Sequence, residues 1–311
     1  MLKVFVNGKE GTTGLKLYER LEKRGGISFL NIPEADRKNP AIVKKFINDS
    51  DVTFFCLPDA AAVEAAALCE NPDVKIIDAS TAHRTAPSWA YGFPELSEKF
   101  KSAIENGKRI AVPGCHASGF IALVYPLIAS GIMPTSYPLV CNSLTGYSGG
   151  GKSMIKAYEE NPTPDLASPR VYGISQQHKH LKEMQAIAGL DFPPLFTPVV
   201  SNFYSGMAIT VPLYSRLLIG APSAKDLHAV LNGFYAGKRM IRVADFENGD
   251  YKDGFIAANG LALSNKMLIN VSGNSDRVLL TAVFDNLGKG ASGAAVQCMN
   301  LMCGADEALG L

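Results

Sequence analysis

Strands and helices alternate through the first third of the chain, and no other feature restricts its fold so tightly. Leu2-Lys3-Val4-Phe5-Val6-Asn7 is a short, mostly apolar strand, and Gly8-Lys9-Glu10-Gly11-Thr12-Thr13-Gly14 is a glycine-rich turn. Residues 15–21 then read as a helix, with Leu17 and Leu21 one turn apart. Further strands are predicted at 27–32, 52–57 and 74–78, with an alanine-rich helix over 60–69. Such a series folds as a parallel, doubly wound sheet. Glycines in the first turn let the backbone bend sharply and approach a pyrophosphate, which rests on the helix N-terminus. The expected dinucleotide contacts are therefore Gly8, Gly11, Thr12, Thr13 and Gly14. Pro58 and Ser80 join them, because ligands bind outside the carboxyl ends of such strands.

The spacing is G-x-x-G-x-x-G rather than the commoner G-x-G-x-x-G. An NAD enzyme usually carries Asp or Glu at the tip of its second strand. Here that strand ends in Asn31-Ile32-Pro33, and Arg37 and Lys38 follow shortly. Two cations beside the adenosine ribose suit a 2′-phosphate, which favours NADP. The alternative is that both are solvated loop charges.

The chain has 311 residues, 47% of them apolar, and a net charge of +1 from 30 basic and 29 acidic side chains. That balance argues against a nucleic-acid or membrane-surface role. No apolar run reaches the length of a membrane span. The N-terminus reads as a strand rather than a signal peptide. Six cysteines scattered among apolar neighbours do not form a disulfide framework, so a reducing cytoplasm is the expected setting.

The sequence pattern changes past Val112-Pro113-Gly114-Cys115-His116-Ala117-Ser118-Gly119. A strand at 109–112 breaks at Pro-Gly, and Phe120-Ile121-Ala122-Leu123 continues a helix. Cys115 thus falls in a first helical turn. Open N–H groups and the helix dipole favour a thiolate there and can hold an oxyanion beside it. On this run alone, nucleophile and buried core thiol both remain open. Strands at 138–144, 198–201, 206–213, 240–243, 268–272 and 278–284 have few helices between them. They predict an α+β domain with a mixed or antiparallel sheet, a common seat of oligomer interfaces. The expected division is 1–114 with 291–311 for the dinucleotide, and 115–290 for catalysis and dimerisation. The last helix, 291–302, is expected to pack back on the first domain.

Gln177-His178-Lys179-His180 opens a helix. Its H-x-H lacks an evident third ligand, so no metal is expected, and either imidazole can serve Cys115 as general acid/base. His116 points away from its helical neighbour and reads as structural. Ser143, Gly146 and Lys152 lie in a run ending Gly149-Gly150-Gly151-Lys152-Ser153, which imitates a phosphate loop. Its antiparallel context argues against a nucleotide kinase and leaves a small phosphate or carboxylate as ligand. Arg84 either binds an anionic substrate or makes an interdomain ion pair. Asn286, before the last helix, is a candidate to close over the nicotinamide end of the cofactor.

Several of these runs together carry a resemblance. They are Gly8-x-x-Gly11-x-x-Gly14, Asp78-x-Ser80-x-x-x-Arg84, Tyr91-Gly92-x-Pro94-Glu95, Pro113-Gly114-Cys115, the glycine loop to Lys152, His178-x-His180-x-x-Glu183 and Asn286-Leu287-x-Lys289-Gly290-Ala291. In this order they resemble the shorter-form N-acetyl-gamma-glutamyl-phosphate reductases, nearly end to end. The resemblance implies a Rossmann-type domain, NADP, and a small acyl-phosphate substrate reduced through a cysteine thioester in arginine biosynthesis. It implies Cys115 with His180 or His178 as the catalytic pair, in a cytoplasmic homo-oligomer, dimer or tetramer. Competing readings are a semialdehyde dehydrogenase of the aspartate or aminoadipate type, and a non-catalytic dinucleotide sensor with Cys115 in its core.

Overall fold

A computed structural model describes residues 1–246 and 253–311. The chain divides into two compact units, Met1–Gly114 with Ala291–Leu311, and Cys115–Gly290.

In the first unit the order is β1 (Leu2–Asn7), α1 (Thr12–Arg24), β2 (Ile27–Leu30), α2 (Pro40–Asp49), β3 (Val52–Phe55), α3 (Asp59–Ala67), β4 (Lys75–Asp78), β5 (Ala90–Tyr91), α4 (Glu98–Asn106) and β6 (Arg109–Ala111). All pairings are parallel, in the order β2-β1-β3-β4-β6-β5. Val52 to Phe55 are buried without alternation, as a strand covered on both faces requires. Helix starts follow local chemistry. Asn39 caps α2 by accepting from Ala41 N–H, with Pro40 at its first position, and Ser97 caps α4 through Phe100 N–H. The C-terminal helix α9 (Gly293–Met302) is buried along its whole length. It packs against Val4, Leu17, Leu21 and Ile110, which makes the first unit discontinuous in sequence. A π-helical turn over Gly288–Ser292 precedes it, so the regular helix starts two residues later than its composition implies.

The second unit begins with α5 (Cys115–Ala129) and continues β7 (Val140–Gly146), α6 (Gly151–Glu159), β8 (Arg170–Val171), α7 (His180–Ala188), β9 (Leu195–Ser201), β10 (Met207–Tyr214), α8 (Ala224–Phe234), β11 (Ile241–Val243), β12 (Met267–Gly273) and β13 (Arg277–Phe284). Its sheet is mixed, in the order β11-β12-β13-β10-β7-β9-β8. Strand β10 alternates, with Met207, Ile209, Val211 and Leu213 buried and Ala208, Thr210, Pro212 and Tyr214 more open. A sheet with one face packed and the other more open gives that pattern. Helix α5 lies on the packed face. A Cβ on Gly119 would come within 2.3 Å of Ile209 and 2.7 Å of Phe284, so only glycine allows that approach. Among the described residues no helix is long and apolar enough to cross a membrane.

Candidate active site

The break at Pro113-Gly114 ends the first sheet, and α5 starts on Cys115 itself. The thiol is partly exposed at the helix N-terminus, where backbone N–H groups have no intrahelical acceptor. Gly290 backs it closely, since a Cβ there would sit 2.9 Å from Cys115 Cβ. None of the six cysteines is in a disulfide. Burial, with Asp78 second, pushes the Cys56 thiol up to about 12. Burial likewise raises Cys141 and Cys303. Those thiols are poor nucleophiles by comparison with a sulfur at a helix N-terminus.

Helix α7 brings the histidines to Cys115. His180 is its first residue and only 5% exposed. Ring nitrogens of His180 and His116 and the sulfur of Cys115 all lie within 4.8 Å of one another. His178 stands behind, its ring centroid 4.8 Å from that of His180, and its Nδ1 accepts from His180 N–H at 3.2 Å. Burial, then the Lys179 charge, lowers its pKa. With Nδ1 accepting, His178 is a neutral brace, and His180 is the imidazole grouped with the sulfur. Glu183, one turn on, is buried at 2%.

His116 faces this group, although helical spacing made it structural in the sequence. It is 4% exposed, with Nδ1 2.5 Å from Ser143 Oγ and Nε2 2.8 Å from Tyr172 Oη. Nothing local in the sequence marks Tyr172, which meets His116 from 56 residues away.

Several of the expected ligand contacts also have partners inside the fold. Ser143 is 1% exposed and bonded to His116. Gly146 is buried, and a Cβ there would press on Tyr204 O at 2.6 Å, so packing requires this glycine. Asn286 Oδ1 accepts from Gly206 N–H at 2.8 Å, and its Nδ2 donates to Ser148 Oγ at 3.0 Å. Lys152 remains exposed at the start of α6, whose N-cap Gly150 makes no side-chain cap.

In the first unit the glycine turn is built for close backbone approach. Gly8 has φ +88, and a Cβ on it would meet Cys56 O at 2.4 Å; one on Gly14 would meet Gly8 O at 2.4 Å. Gly11 caps α1 without a side chain, Thr13 follows in the first turn, and Thr12 Oγ1 is buried with no hydrogen-bond partner. An open helix N-terminus with an orphaned hydroxyl fits a dinucleotide pyrophosphate. Arg37 reaches the same turn through a 3.1 Å ion pair with Glu10, while Lys38 is exposed. Pro58 is exposed at the start of α3. The Ser80 hydroxyl donates to Asp78 Oδ2 at 2.7 Å. Arg84, 8% exposed, donates to Val112 O at 2.9 Å and to Ala79 O at 3.2 Å.

Residues 3–103 match the family model described as semialdehyde dehydrogenase, NAD binding domain, and residues 115–286 match semialdehyde dehydrogenase, dimerisation domain. The chain is similar to N-acetyl-gamma-glutamyl-phosphate reductase 2 of Nostoc sp., 43% identical over 319 positions that cover 99% of each chain. It is equally similar to the Pseudomonas putida protein of the same name, 43% identical over 99% of this chain and 98% of that one. Among solved structures, aspartate semialdehyde dehydrogenase II of Vibrio cholerae superposes with a TM-score of 0.70 at 16% identity, covering 97% of this chain and 98% of that one. The Francisella tularensis aspartate semialdehyde dehydrogenase gives 0.71 at 15%, covering 97% and 100%, and both show the shared fold. By sequence and by fold, the chain belongs to the N-acetyl-gamma-glutamyl-phosphate reductases of the semialdehyde dehydrogenase family.

Proposed function

We propose that this protein reduces N-acetyl-L-glutamyl 5-phosphate to N-acetyl-L-glutamate 5-semialdehyde and phosphate, in arginine biosynthesis, with NADPH as the reductant. The grouping of Cys115 and His180 at the first turn of α5 carries this reading. The Cys115 thiol gives its proton to His180, and the thiolate attacks the acyl-phosphate carbon. Backbone N–H groups of the first helical turn stabilise the tetrahedral oxyanion. Phosphate leaves, and Cys115 carries a thioester. When bound, the nicotinamide supplies a hydride to this electrophilic carbonyl. His180 returns its proton as the C–S bond breaks and the aldehyde departs. General acid/base help of this kind is worth typically ~10²–10⁴ in rate.

Gly8, Gly11, Thr12, Thr13 and Gly14 hold the pyrophosphate, and Arg37 with Lys38 receives the 2′-phosphate that distinguishes NADP from NAD. Lys152 and the open N-terminus of α6 receive the substrate phosphate. The enzyme works as a cytoplasmic homo-oligomer. The test is phosphate-dependent oxidation of N-acetylglutamate semialdehyde, with aspartate and aminoadipate semialdehydes run beside it. N-acetylglutamate semialdehyde is expected to be oxidised with the highest kcat/KM. Preference for either of the others reassigns the substrate.

A further inference from the structure

The proton transfers above leave His116 without a part, although its ring sits among theirs. Its centroid lies 5.4 Å from His180, 5.6 Å from His178 and 6.2 Å from Tyr172. The titratable groups around it are therefore Cys115, Tyr172, His178 and His180. Burial, with His178 second, pushes its pKa down to about 3, so the ring is neutral near neutral pH. A neutral imidazole has one N–H and one lone pair. Both nitrogens are in hydrogen-bond reach of a hydroxyl, which leaves two arrangements.

Ser143 decides between them. Its hydroxyl is 1% exposed, and among the described residues it meets no acceptor besides His116 Nδ1. Were Nδ1 protonated, the Ser143 O–H would be left without an acceptor in the interior, which is costly for a buried donor. Ser143 therefore donates to Nδ1, and the ring proton sits on Nε2, donating to the Tyr172 oxygen. The Tyr172 proton is then left free to point elsewhere.

We propose that His116 is a positioning residue: locked in one tautomer by Ser143, it turns the Tyr172 hydroxyl to donate toward the Cys115 sulfur and the oxyanion formed beside it. This rests on Cys115 being the nucleophile. Tyr172 is then a catalytic donor and His116 acts through it. Tyr172 Oη lies 2.8 Å from His116 Nε2, and a ring nitrogen of His116 lies within 4.8 Å of the Cys115 sulfur; burial, with charge on Cys115 second, holds the phenol well above its ordinary range. The tyrosine thus stays protonated and available as a donor. Ser143 sits at a rigid point, on a strand paired on both sides with β10 and β9.

The test is the pH dependence of iodoacetamide alkylation, followed by mass spectrometry on the Cys115 peptide of the full-length protein. Y172F and H116L are each expected to raise the apparent pKa of Cys115 by about one unit, an approximately tenfold loss of thiolate at fixed pH. H116Q places an N–H near the former Nε2 and should recover most of the wild-type profile. Adding H116L to Y172F should change nothing further, since the two act through one hydroxyl. S143A keeps the ring but frees its tautomer, and an intermediate shift is expected. It also serves as the second variant if H116L does not fold. Equal damage by H116Q and H116L, additive effects in the double variant, or a wild-type profile in Y172F would each overturn the proposal. Alkylation needs no acyl phosphate, so a wrong substrate leaves this result standing. A failed relay, in turn, leaves turnover by Cys115 and His180 intact as a reading.

Discussion

In the unfolded chain the His116 imidazole takes up a proton near 6.5, whereas in the folded chain it resists until about 3. Between those values the unfolded state binds more protons. The stability His116 confers is complete above 6.5 and is lost as pH falls toward 3. The fold holds it neutral because burial leaves no water to solvate a charge and His178 stands beside it. Replacing it by Asn should flatten the acid limb of the stability curve by about one proton's slope, as urea melts across that window would measure. An unchanged slope would mean the ring is hydrated and its role as a relay is lost. At this scale the sequence was legible where chemistry demanded a residue type at a fixed place: Cys115 after Pro-Gly, and His180 opening a helix. It was less legible where a polar side chain can turn either toward a ligand or into the fold. Ser143, Asn286, Ser80 and Arg84 each bond to a partner within the fold that no local sequence pattern announces. His116 went the other way, since neighbours in a first helical turn can converge on a group brought in by α7.

The glycine turn between β1 and α1 was predictable from three glycines, because only backbone fits where a Cβ would strike Cys56 or Gly8. The loop after β2 was harder to read, since a loop cation does not announce its partner. Arg37 turned out to reach back to Glu10 within the turn, 3.1 Å away. A 2′-phosphate would compete for that guanidinium with a partly exposed carboxylate, and partly exposed pairs are worth little. Arg37→Ala is therefore expected to weaken NADP binding about tenfold, the effect of losing a charge-assisted contact of about 1.4 kcal/mol, with little change for NAD. Calorimetric titration of both dinucleotides checks this, and equal losses would reduce Arg37 to a scaffold residue. Most strand boundaries were legible to a residue or two, where apolar runs have sharp ends, but β9 starts three residues before 198, and the two-residue strands β5 and β8 were not foreseen. The π-helical turn ahead of α9 was not, because its Gly-Lys-Gly-Ala-Ser composition fits a loop equally well.

The described residues form two compact units, one discontinuous and one continuous in sequence. That α9 packs into the first core was expected from a helix Gly/Ala-rich on one side and apolar on the other. The more open face of the second sheet has a different meaning. Leu279 and Tyr214 are exposed there at 38% and 46%, beside half-buried Leu144, Val199 and Ala208. A second copy of the chain is the occupant we assign to this face, in keeping with its match to a dimerisation domain. Thr210→Arg, a charge set amid it, should convert the oligomer to monomers in light scattering while leaving the circular dichroism spectrum unchanged. An intact oligomer would move the interface elsewhere. Beneath both units lies one chemical claim, that the Cys115 sulfur takes up the acyl group before any reduction. Mixing the enzyme with N-acetylglutamyl phosphate in the absence of dinucleotide tests it most directly. One equivalent of phosphate should be released and one N-acetylglutamyl group should appear on the Cys115 peptide. Release of no phosphate, or an acyl group carried on another residue, would contradict it.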